Sequence, residues 1–91
     1  MNKLEAQSIL DEQLSVFVRQ PYAQLVELVN VPKNITVQAP SGTEWQIEFN
    51  IFYDSGKRGN LRIVGSIDDG GWRSFMPLTK SLIMKHTSEL I

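Results

Sequence analysis

From residue 45 to residue 53 every odd-numbered position is apolar. Trp45, Ile47, Phe49, Ile51 and Tyr53 alternate with Glu44, Gln46, Glu48, Asn50 and Phe52. A period of two places the odd side chains on one face of a strand. The segment Asp54-Ser55-Gly56-Lys57-Arg58-Gly59-Asn60 reads as a loop, after which Leu61, Ile63, Gly65 and Ile67 resume the same parity. An antiparallel hairpin that sets Tyr53 opposite Leu61, Ile51 opposite Ile63 and Ile47 opposite Ile67 brings every odd residue onto a common face. A slip of one residue would turn one strand's apolar set to water, so the register is strongly specified. A chain with this hairpin must cover that face with something.

The flanking segments supply the cover. Ala6, Leu10, Leu14 and Phe17 recur at spacings of four, four and three between Lys3 and about Arg19, one stripe of a helix. Pro21 cannot continue that helix undisturbed, but it suits the first position of a new one. Residues 21–30 then offer Leu25, Leu28 and Val29 to a second short helix or a kinked extension, which Asn30-Val31-Pro32 ends. Ile35, Val37 and Ala39 predict a short strand, and Pro40-Ser41-Gly42 a turn. Asp68-Asp69-Gly70-Gly71 predicts a second hairpin turn, with Trp72 to Met76 returning and Pro77 stopping that strand. Thr79 is then read as the cap of a last helix using Leu82, Ile83, His86 and Leu90. The expected fold is α+β: an N-terminal helix or kinked helix pair, an antiparallel three- to four-stranded meander, and a C-terminal helix. Ninety-one residues leave room for one domain, 1–91.

Composition removes whole chemistries. Zero cysteines exclude disulfides, thiolate metal sites, iron–sulfur clusters and cysteine nucleophiles. His86 is the only histidine, so multi-histidine metal sites and linked histidine relays are excluded. No metal or cofactor is expected, and no catalytic residue is assigned. A net charge of −1 gives no global attraction to nucleic acid or to an anionic membrane, so neither is an expected partner. Met1 to Gln7 turns polar at once and lacks the apolar stretch of a signal peptide, which makes the cytoplasm the expected location.

The remaining candidates have competing explanations. Asp68 and Asp69 could hold a hard cation or act as an acid/base pair, but no acid follows from residue 70 to 77 to close a calcium loop. Turn formation, with Asp68 pairing to Arg73 or to solvent, accounts for them. Ser55-Gly56-Lys57-Arg58 lacks the upstream glycine and the following Ser or Thr of a phosphate loop and reads as a solvated tip. His86 falls on the apolar stripe of the expected last helix and reads as a packed or boundary residue. Trp45, Phe49 and Tyr53 share their face with Ile47, Ile51 and Ile63, which marks a core rather than a base-stacking platform.

The other sheet face holds an anomaly. Phe52 and Val64 point away from the core and are diagonal neighbours in the hairpin, and Phe75 joins them if the second turn permits. Either the C-terminal helix wraps over that side, or another molecule covers it.

Ile47-Glu48-Phe49, Phe52-Tyr53-Asp54, the run from Leu61 to Arg73 that contains Ile67-Asp68-Asp69-Gly70-Gly71-Trp72-Arg73, Phe75 and Pro77-Leu78 together resemble a group of small uncharacterised bacterial α+β domains with a strand–IDDGGWR–strand core. The likeness covers about residues 20–84. It implies a fold and no site. The functional expectation is a small non-enzymatic protein-interaction domain, of adaptor, immunity, antitoxin or self-associating type. Its partner-binding residues are Phe52, Val64 and Phe75, with Arg62, Lys57 and Arg58 at the rim, and the partner is another protein or a second copy. The alternative is a small-ligand binder or enzyme centred on Asp68, Asp69, Trp72 and Arg73.

Overall fold

The computed structural model describes residues 2–54, 59–70, 77–87 and 90. Helix α1 spans Lys3–Phe17. Asn2 caps it by accepting the Glu5 N–H at 3.1 Å, which satisfies one of the donors a helix start leaves open. At the other end the Gln20 side-chain amide donates to the Phe17 carbonyl. Ala6, Leu10 and Leu14 are buried, as the stripe predicts, and Phe17 stacks on Phe49 with ring centroids 4.2 Å apart. Helix α2 is short, Tyr22–Glu27, and Pro21 precedes it in extended conformation as the N-cap, one position before the expected one.

Four strands follow among the described residues: β1 (Lys33–Gln38), β2 (Glu44–Tyr53), β3 (Leu61–Asp68) and β4 (Leu78–Met84). They form an antiparallel sheet in the order β1-β2-β3-β4. The β2–β3 register is the one the parity demands: Tyr53 opposite Leu61, Ile51 opposite Ile63, Ile47 opposite Ile67. Trp45, Ile47, Phe49, Ile51, Leu61, Ile63 and Ile67 are all buried and make the core with the α1 stripe. Two non-extended residues shape the edges. Gly42, at φ 91°, turns β1 into β2, and Asn30, at φ 63°, directs its N–H to the Ile51 carbonyl at 2.9 Å.

The expected C-terminal helix is a strand. Residues 78–84 pair with β3, and the helical stripe through Leu82, Ile83, His86 and Leu90 does not exist there. The physical reason is tertiary. The side of β3 away from β2 carries a complete row of unpaired backbone groups above the core, and pairing satisfies them. The segment also has period two: Leu78, Leu82 and Met84 share the inner face with Lys80, whose ammonium reaches Asp11 of α1 at 2.7 Å. Thr79, read as a cap, lies in the ladder opposite Ser66. His86 is exposed in the turn after β4 rather than packed. The returning strand expected from Trp72 to Met76 lies outside the described residues, apart from which β4 takes its place beside β3.

Candidate functional site

Both helices pack on the odd-numbered face of β2 and β3. The opposite face is built from the even residues of β2 and β3 and the odd residues of β4. Phe52 stands across from Arg62, and Arg62 across from Ile83, so the three form one transverse row. The next row sets Asn50, Val64 and Ser81 side by side, which makes Val64 a diagonal neighbour of both Phe52 and Ile83. Phe52 is 40% exposed, and Val64 and Ile83 are half-buried.

Arg62 lies between Phe52 and Ile83 in the register. Its Nε donates to Asp54 Oδ1 at 2.9 Å, a second guanidinium nitrogen lies 2.8 Å from the same oxygen, and a third donates to Ser81 Oγ at 3.4 Å. The planar guanidinium therefore spans from the end of β2 to β4 in a fixed orientation. Farther along the face the character changes. Glu44 and Glu48 are exposed carboxylates, each accepting from a neighbouring amide: Gln46 at 3.1 Å and Asn50 at 2.8 Å. The face thus carries apolar groups around a carboxylate-paired arginine at one end and two carboxylates at the other.

Phe52, Arg62 and Val64 meet as the hairpin register requires. Phe75, Lys57 and Arg58 lie outside the described residues. The residue that sequence reasoning missed is Ile83, assigned to a helix that is absent; the alternation of Leu78, Leu82 and Met84 with Thr79, Ser81 and Ile83 was the available signal. Because residues 78–84 extend this face, they do not cover it. Among the described residues no helix lies on it.

Of the alternative site, Asp68 and Asp69 are described, and Trp72 and Arg73 lie outside the described residues. Asp68 Oδ1 accepts the Gly70 N–H at 2.8 Å, and Gly70 adopts φ 79°. Its carboxylate thus serves the turn through the Gly70 amide, where the sequence assigns it Arg73 or solvent as partner. A polar concavity of about 280 Å³ adjoins it, with Glu48, Asn34 and Ser66 in its walls. Among the described residues no three His, Cys, Asp or Glu side chains converge as a metal site would need. On the helical face a larger groove of about 510 Å³ runs between α1, α2 and β1, with the Phe17–Phe49 stack and Ile35 in its floor and Gln24, Glu27 and Lys33 at its rim. No helix among the described residues is long and apolar enough to cross a membrane. Compared with protein-family models, curated proteins and solved structures, the chain matches none of them.

Proposed function

We propose that this chain is a small non-enzymatic protein-interaction domain that docks a protein partner on its outer sheet face. The observation that carries this is the row Phe52–Arg62–Ile83, two apolar side chains flanking an immobilised arginine on a face that no described helix covers. An exposed aromatic ring and half-buried aliphatic groups around a hydrogen-bonded arginine have the composition of an interface centre. Arg62, with Lys57 and Arg58 in the segment joining β2 to β3, favours a partner surface that is apolar at its centre and carries carboxylates at its rim. The domain's own carboxylates Glu44 and Glu48 stand at the far end, where they disfavour a misplaced acidic partner.

The test uses the intact chain as bait in native extract, beside the Phe52→Ser and Arg62→Glu variants and a Glu12→Gln control on the exposed side of α1. A protein retained by wild type and control but lost by both variants supports the proposal. Equal retention by all four baits overturns it.

A further inference from the structure

The free edge of β1 is a second feature with a partner written into it. The Ala39 N–H donates to the Thr43 carbonyl at 2.9 Å, which makes these two a hydrogen-bonded pair at the end of the β1–β2 ladder. Such pairs alternate along antiparallel strands. Val37, Ile35 and Lys33 therefore turn their backbone groups toward β2, opposite Trp45, Ile47 and Phe49. The Asn30 N–H to Ile51 carbonyl bond on the same side of β2 agrees with this phase. Asn34, Thr36 and Gln38 then turn their N–H and C=O groups outward, and these meet no backbone partner among the described residues. The opposite edge differs, because Leu90 bridges to Met84 at the end of β4.

Edge strands are usually guarded by charge, proline or a bulge. Here the only charge is Lys33 at the first position, Pro32 stands before the strand, and the run Asn34-Ile35-Thr36-Val37-Gln38 is uncharged and regular. It is also self-complementary. When the run is laid antiparallel against a copy of itself about Thr36, outward-facing residues meet outward-facing residues. Asn34 faces the partner's Gln38, Thr36 faces the partner's Thr36, and all six free backbone groups find partners. On the helical face Ile35, half-buried in the single chain, meets the partner's Val37, also half-buried. No like charges are opposed.

We propose that the chain self-associates by antiparallel pairing of β1 with β1 of a second copy, with Thr36 on the two-fold axis. The product is one continuous sheet of order β4-β3-β2-β1-β1-β2-β3-β4, with the helices of both copies on the same side. The interface is isologous, as closed dimers require. It is separate from the outer-face row, so either can hold without the other.

Sedimentation equilibrium of the full chain from about 10 μM to about 1 mM spans the range in which small interfaces associate. The average mass is expected to climb from 10.3 kDa toward twice that value. Thr36→Lys alone or Thr36→Glu alone sets like charges opposite each other on the axis and weakens association about five-fold, and an equimolar mixture of the two restores it. Thr36→Pro removes an outward donor without touching the β2 ladder, so the monomer stays folded by circular dichroism and the dimer is lost. Phe52→Ser leaves association unchanged. A mass fixed at 10.3 kDa across the range overturns the proposal. So does a mixture no better than its components, or a dimer that survives Thr36→Pro and fails with Phe52→Ser.

Discussion

Leu10 of α1 rests on Gly65 of β3 so closely that a Cβ on Gly65 would lie 2.9 Å from Leu10 Cδ1, with Leu14 Cγ and Cδ2 at 3.2 Å. Gly65 occupies a core-facing odd position of β3, where its neighbours Ile63 and Ile67 are large. The missing side chain is the space into which the helix settles. Gly65→Ala is expected to lower stability by about 1–2 kcal/mol through overpacking, read as a shift in urea midpoint. Leu10→Ala costs about 2–5 kcal/mol alone, and the double variant costs less than the sum because the cavity receives the new methyl. Additive losses would show that α1 does not bear on Gly65.

Glu5 joins the start of α1 to the β1–β2 turn. Its Oε1 accepts from the indole N–H of buried Trp45 at 2.9 Å and from Ser41 Oγ at 2.7 Å. Glu5→Ala leaves the indole N–H without its acceptor and is expected to cost about 1–3 kcal/mol, whereas Glu5→Gln keeps an oxygen there and costs less. Chemical denaturation followed by far-UV circular dichroism ranks the two. An equal loss in both variants would sink the hydrogen-bond account.

Tyr22 donates to the Gly59 carbonyl at 2.6 Å. Burial, with Tyr53 nearby, raises its phenol above the ordinary value of 10.0. A group raised in the folded state contributes stability that is complete below its unfolded pKa and is lost as pH climbs through the folded value. Stability should therefore hold through neutral pH and fall only in the alkaline range above about 10. Tyr22→Phe removes both the hydrogen bond and its share of the alkaline decline, measured as stability against pH together with tyrosinate absorbance. An unchanged alkaline slope in Tyr22→Phe would show that another group sets it.

Adjacent strand faces should respond differently. Phe52→Ser, at an exposed outward position, is expected to change stability by less than about 1 kcal/mol. Phe49→Ala, three residues earlier and 2% exposed, should cost about 3–5 kcal/mol. Thermal unfolding of the two variants decides between them. Comparable losses would place Phe52 in a buried interface of the chain's own making.

Local pattern carried most of the architecture. The parity of residues 45–53 and 61–67 determined the β2–β3 register pair by pair, because one slip would have put five apolar side chains in water. The spacing of Ala6, Leu10 and Leu14 marked the buried stripe of α1, and Pro21 marked its separation from α2. Residues 78–84 were the failure. Leu82-Ile83-Met84 is too short an apolar run to choose a period, so local preference left helix and strand open, and the unsatisfied edge of β3 made the choice. That error hides one member of the site: the sequence leaves open whether a C-terminal helix or another molecule covers Phe52 and Val64, and the strand rules out residues 78–84 as a helical cover, extends their face and adds Ile83.

Alternation along one strand is a property of neighbouring residues, and the order of residues alone determined which side chains of β2 and β3 turn inward. Contacts between distant segments are another matter. Only the folded chain decided that Arg62 is held between Asp54 and Ser81, that Glu5 reaches Trp45, that Leu10 fills the space left by Gly65, and that the outer face lies open among the described residues. Each of these pairs groups whose separation along the chain carries no periodic signal, and the closing of the sheet brings them together.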